Sequence, residues 1–132
     1  MDLIVEPSVV VGVRAAIAAY AQALDSGRTD DLVELFCPDG VSEVAGSGTF
    51  SGHEAIRAAY ARWRPAKPQR HLVTNTLVTS WSGDDATAAS DLALLQRGES
   101  GWAVTLVGRY EDTLHRHDGR WLFRRRVTTL LP

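Results

Sequence analysis

The 132-residue sequence predicts one α+β domain, with N-terminal helices packed on a curved, mainly antiparallel sheet that encloses a pocket. Three observations lead there. Apolar residues recur at helical spacing as far as Trp63, the chain turns β-rich from Arg70 onward, and the β segments are joined by links short enough to be hairpins. Short links make sequential strands antiparallel neighbours, and a concave sheet roofed by helices leaves a cavity.

Val10, Val13, Ile17, Ala21 and Leu24 follow one another every three or four positions after Ser8, so residues 9–25 read as an amphipathic helix that Gly27 can end. A second helix is predicted over 29–36, where Thr29 caps, Asp30 and Asp31 suit the helix N-terminus, and Pro38-Asp-Gly40 stops the run. Residues 41–51 read as two short strands around Gly46-Ser-Gly48. A third helix spans Gly52 to Trp63, with Ile56, Ala59, Tyr60 and Trp63 on one face. Strands follow at 70–81, 86–97, 102–115 and 120–130, separated by Ser82-Gly83-Asp84, Gly98-Glu-Ser-Gly101 and His117-Asp-Gly119.

Composition narrows the function. A formal charge of −2 argues against a surface built to neutralise phosphates, so no nucleic-acid partner is expected. No uninterrupted apolar run has the length of a membrane helix, and the first residues are acidic rather than a basic leader. The single Cys37 forms neither a disulfide nor a cysteine zinc site and, with the absent leader, gives a cytoplasmic expectation. Gly46-Ser-Gly48-Thr-Phe-Ser-Gly52 is a hairpin and not a dinucleotide fingerprint, because its last glycine comes one residue late. His115 and His117 share a strand side without an obvious third ligand, so no metal is assigned.

Five residues remain as candidates for chemistry. Tyr20 and Asp25 are separated by a helical rotation of roughly 140°, so both reach one cavity only if the helix ends before or at Asp25. His71 lies early in the first long strand, where strict alternation puts Val73 and Asn75 on its face; an imidazole there is a group able to shuttle protons. Asp91 interrupts a run of small and apolar residues. It faces inward as a costly buried acid, or outward if Ala88, Ser90 and Leu92 supply the inner face. The last strand alternates Trp121, Phe123, Arg125 and Val127 against Leu122, Arg124 and Arg126, so at least one arginine points inward, to hold an acidic substrate or pair with Asp91, or lies in an interface. Taken singly, each has an ordinary structural reading: a solvated turn acid, a packing tyrosine, a satisfied core histidine, an edge charge.

Taken in order, Tyr20-Ala-Gln-Ala-Leu-Asp25, Asp31 to Gly40, Gly52-His-Glu-Ala-Ile56, His71-Leu-Val-Thr-Asn75, Gly108-Arg-Tyr-Glu-Asp112 and Gly119-Arg-Trp121 resemble the SnoaL-like branch of the nuclear-transport-factor-2-like superfamily. The resemblance spans nearly the whole chain and implies a cone-shaped α+β fold. The superfamily includes scytalone dehydratase, bile-acid 7α-dehydratase, ketosteroid isomerase, limonene-epoxide hydrolase and polyketide cyclases, together with members that only bind or assemble. Tyr20, Asp25 and His71 look like the dehydratase-type tyrosine, aspartate and histidine, Asp91 like the second acid and Arg126 like the late-strand arginine, with Arg125 as its alternative.

What the resemblance implies is cofactor-independent acid–base chemistry, a lyase or isomerase of dehydratase type. An Asp25–His71 pair removes a proton beside a carbonyl, and Tyr20 donates to the enolate oxygen. Epoxide hydrolysis, polyketide cyclisation and a non-catalytic binding or interaction module are the alternatives. Asn75, Tyr60, Trp63 and Tyr110 are the expected substrate-binding residues, and the partner is a small apolar ring or polyketide-type molecule. A homodimer through the outer sheet face is expected as well: Trp102, Val104 and Leu106 alternate on one side of a strand, and Trp81 and Trp121 are available to contribute.

Overall fold

Pro7 starts α1 (Pro7–Asp25): its missing N–H and preset φ suit a first helical turn. Residues 5–132 are described by the computed structural model. The helix is long and apolar enough to cross a bilayer by composition alone, but Val9, Val13, Ile17 and Tyr20 bury its apolar side in the core. It ends where Gly27 adopts φ 68°, a left-handed value that costs glycine nothing, and the Arg28 N–H returns to the Ala23 carbonyl at 2.9 Å.

The chain continues through α2 (Thr29–Val33), β1 (Phe36–Val44), β2 (Gly48–Ser51), α3 (His53–Arg62), β3 (Gln69–Ser82), β4 (Asp85–Gly98), β5 (Gly101–His117) and β6 (Arg120–Leu130). The six strands form one open mixed sheet in the order β2-β1-β6-β5-β4-β3, parallel only between β1 and β6. The second helix is shorter than its pattern predicts. Pro38 does not stop it but lies within β1, where pairing to β6 skips from Phe36–Phe123 to Val41–Arg125, an irregularity that leaves room for a residue without an N–H.

Register shifts bend the long strands and reset which side chains face inward. One falls between Thr74 and Leu77 of β3, where Asn75 takes φ 55°. A second pairs Leu94 with Leu106 but Leu95 with Val104. A third, between Thr113 and Leu114, leaves Arg124 of β6 without a counterpart. The inner face presents Ala86, Ala88, Ser90 and Leu92 from β4, Tyr110, Asp112 and Leu114 from β5, and Trp121, Phe123, Arg126 and Thr128 from β6, all buried.

The expectation that Trp102, Val104 and Leu106 share one side fails for the same reason. Leu106 keeps the inward phase of Tyr110, and the second shift beyond it turns Val104 and Trp102 outward, where they are exposed. Trp121 is buried against Gly12 of α1, and Trp81 packs on the core. The outer face instead carries the cross-strand row Leu72–Ala93–Val107, with Leu77 further along β3.

Gly108 of β5 pairs with Leu130 of β6 where there is no room for a side chain: a Cβ there would stand 2.5 Å from the Thr129 carbonyl oxygen and 3.3 Å from Leu92 Cδ2. Backbone cannot yield as a flexible side chain can. Gly108→Ala is therefore expected to lose about 1–3 kcal/mol, read as a lowered midpoint in denaturant with the slope unchanged.

Candidate active site

A cavity of about 410 Å³ opens between the C-terminal end of α1, the α3–β3 connection and the inner face of the sheet. Its walls are mostly apolar, with Leu24, Trp63, Leu92, Leu94, Leu106 and Leu130. Tyr20, Tyr60, Tyr110, Gln69, Gln96 and His71 supply the main polar edges. That size and lining suit a small ring compound.

Asp25 is the last residue of α1, and the helical rotation that keeps it out of the cavity turns its carboxylate toward β3. His71 donates to it twice, from the ring Nδ1–H to Oδ1 at 2.6 Å and from the backbone N–H to Oδ2 at 2.7 Å. Gln69 adds a third bond, Nε2 to Oδ1 at 3.0 Å. Although burial acts to raise it, these donors hold the Asp25 carboxyl below the ordinary aspartate value. With Nδ1–H fixed on a carboxylate, the free lone pair of the neutral ring is on Nε2, and the ring lines the cavity.

Tyr20 and Tyr60 form the second polar element. Their hydroxyls lie 2.6 Å apart, and Ser42 Oγ, fully buried on β1, is 2.8 Å from the Tyr60 hydroxyl. Burial raises both phenols above their usual pKa, so they serve as neutral hydrogen-bonding groups. Behind them Arg126 is completely buried. Its Nε and Nη2 donate to Asp112 at 2.9 and 3.3 Å, and its guanidinium lies 3.5 Å from the Tyr110 ring centre and 4.2 Å from that of Tyr20. Nη1 has no hydrogen-bond partner among the described residues; the aromatic faces are its surroundings. Burial acts to lower the Arg126 pKa, but Asp112 and the phenols raise it above the usual arginine value, so the cation persists.

The predicted site residues divide accordingly. Tyr20, Tyr60, Trp63, Tyr110 and His71 line the cavity, with Asp25 directly behind His71. Asn75 does not: the bulge at its own position reverses the pleat, and its exposed amide donates to Asp91 at 2.9 Å on the outer face. Asp91 is outward, as Ala88, Ser90 and Leu92 fill the inner positions, and its carboxylate lies 3.8 Å from Arg109. Arg126 is the inward arginine, because the β6 irregularity shifts its phase; it pairs with Asp112 and not Asp91, and it does not line the cavity. Arg125 is exposed and pairs with Glu43. His115 bonds Asp85, His117 lies beside Asp118, and among the described residues no three His, Cys, Asp or Glu side chains gather as a metal site would need.

Sequence reasoning overlooked Gln69, Ser42 and Asp112. Two of these carried a signal, since Gln69 is in phase with His71 and Asp112 with Tyr110 at period two. Ser42 had none, because its role depends on a helix folding over β1.

Two outcomes are expected. Because the folded Asp25 pKa is depressed, its contribution to stability is present above the unfolded value near 3.8 and is lost as pH falls through the lower folded value. Urea titrations should therefore show the gap between wild type and Asp25→Asn closing as pH drops from about 6 to about 3. Arg126→Met leaves the Asp112 carboxylate buried and unpaired and should cost about 3–5 kcal/mol, whereas Arg126→Met with Asp112→Leu should recover part of that loss.

A model of the SnoaL-like domain family matches residues 10–127. No curated protein matches the sequence. Among solved structures, an NTF2-like protein with a cystatin-like fold from Novosphingobium aromaticivorans is 29% identical with a TM-score of 0.83, over 92% of this chain and 80% of that one. A Catenulispora acidiphila protein in complex with S-DNPA is 25% identical with a TM-score of 0.84, over 95% of each chain. A Novosphingobium aromaticivorans protein with a provisional scytalone dehydratase assignment is 22% identical with a TM-score of 0.82, over 95% of this chain and 87% of that one.

Proposed function

The chain belongs to the SnoaL-like domain family, and from that premise we propose that it is a cofactor-independent acid–base enzyme, a lyase or isomerase acting on a small apolar ring or polyketide-type substrate. One observation carries the reading: an imidazole held by a carboxylate on the wall of an apolar cavity, with hydrogen-bonding phenols lining the same space. The Catenulispora acidiphila protein of the same fold, solved in complex with S-DNPA, supports a ligand-binding role for such a chain.

In this reading His71 Nε2 takes a proton from carbon beside a substrate carbonyl, and Asp25 stabilises the imidazolium that forms without accepting the proton. The C–H electron pair moves into an enolate, whose oxygen accepts from Tyr20. The buried chain allows that donation: with Ser42 donating to Tyr60 and Tyr60 to Tyr20, one of the orientations open to these hydroxyls at 2.8 and 2.6 Å, the Tyr20 O–H is free for the ligand and each bond polarises the next. The Arg126 cation over the Tyr20 ring acts to lower the phenol's pKa, against burial and the neighbouring Tyr60 and Tyr110, which keep it raised. If the imidazolium protonates a β-hydroxyl, the C–O bond breaks and water leaves; if it protonates carbon, the product is an isomer.

His71→Gln and Asp25→Asn should each lower kcat by about 10²–10⁴-fold with little change in ligand affinity, and the double variant should be little worse than either single. Wild-type turnover of a verified substrate by both folded variants would remove the dyad. Equal ligand binding by all variants, with no elimination or isomerisation substrate for wild type, would make the chain a binding module.

Assembly as a homodimer through the outer sheet face belongs to the same proposal, since the exposed Leu72, Leu77 and Val107 form the surface a partner would cover. Light scattering at micromolar concentration should give twice the mass of one chain, and Val107→Lys should return it to a monomer.

A further inference from the structure

Between Glu54 and Asp84 the sequence contains no acidic residue but carries Arg57, Arg62, Arg64, Lys67 and Arg70, in a chain whose net charge is −2. The structure places this run on α3, the α3–β3 connection and the start of β3, beside the cavity mouth. Two of the five are engaged: Arg57 Nε donates to Asp30 Oδ1 at 3.0 Å, and Arg70 Nη1 to the Gln69 carbonyl at 2.7 Å. Arg64 is exposed, makes no hydrogen bond or ion pair among the described residues, and of the five is the one that lines the cavity. Its stem runs over the end of α1, where Cγ would stand 3.9 Å from a Cβ on Gly27, and Trp63 and Pro65 on either side of it also line the cavity.

Charge is one-sided here. Among the described residues no Asp or Glu side chain lines the cavity, and Asp25, the acid behind His71, is already occupied by its three donors. The arginine that alternation suggested for an acidic substrate, on β6, is sealed beneath Tyr20 and Tyr110 with its own counterion. Arg64 therefore stands as an unneutralised cation at the rim of an apolar space, with Arg62 and Lys67 adding to the same field. A guanidinium fork matches a carboxylate in geometry, and the adjoining apolar walls strengthen such a pair relative to one in open water.

We infer that Arg64 binds a carboxylate on the substrate, so that the site takes a ring compound whose reacting part enters the apolar interior while an acid group remains at the mouth. This rests on the cavity being the substrate site, as proposed above, but not on His71 acting as a base.

The test compares 2-naphthoate with 2-naphthamide, which share a ring and differ in charge, by calorimetry on wild type, Arg64→Gln and His71→Gln at about pH 8, where an ordinary imidazole is neutral. Wild type should prefer the carboxylate by about fivefold or more, a preference that weakens with added salt. Arg64→Gln should erase it while leaving naphthamide affinity within about twofold, and His71→Gln should retain it. Equal binding of the two probes by wild type, a preference that survives Arg64→Gln, one abolished by His71→Gln instead, or no binding of either ring would each overturn the inference. Failure of the acid–base reading shows separately, as undiminished turnover in His71→Gln, and leaves this charge discrimination untouched.

Discussion

The Asp25 carboxylate is where helix, sheet and site are tied together. It closes α1, and through Gln69 and His71 it fixes the start of β3, an edge strand whose ladder partner among the described residues is β4. Without that link the cavity wall at this end would be tied to the sheet by β4 alone, with its other edge loose against a helix end. Every bond to the carboxylate comes from a donor, so the group is most comfortable ionised, and an ionised Asp25 is also what sets the His71 tautomer. Structural and chemical demands therefore point the same way, and a variant here disturbs both.

A second buried ion pair does quieter work. Arg126 and Asp112 have no exposed side-chain surface, an arrangement expensive in desolvation that natural sequences keep only with excellent pairing. Here the pairing is supplemented by aromatic faces. Tyr20 packs edge-on against Phe36, Tyr60, Tyr110 and Phe123, so the cation organises a cluster of rings as well as a single counterion. The phenols that face the cavity thus rest on a charged floor that does not itself line it.

How much of this was legible in the sequence follows from one physical distinction. Helical and strand periodicities are local, and the three helices, the strand–strand hairpin before Gly52 and the four long strands are placed by them to within a few residues, with the second helix as the main overestimate. Facing along a bent strand is not local. Each bulge inserts a residue whose partner strand decides where it goes, and one insertion inverts everything beyond it. That is why Asn75, Arg126 and the pair Trp102 and Val104 lie opposite to their simple alternation, whereas Leu106, Tyr110 and Asp112, inside an unbroken stretch of β5, follow it. Asp91 had two open readings because both phases offered plausible inner residues. Arg64 lies in a connection, where no periodicity applies, but the acid-free run around it was visible from charge alone.

The bulge at Asn75 also bears on how molecules of this protein meet one another. β3 ends the sheet, and an unpaired strand edge presents a row of N–H and C=O groups that another chain can extend. The left-handed residue in its middle interrupts that row and reverses the pleat, so an incoming strand in register with one half is out of register with the other. Edgewise growth into fibrous stacks is thereby discouraged along the one long strand that lacks a second neighbour among the described residues, which leaves the outer face of the sheet, and not its rim, as the surface open to orderly association.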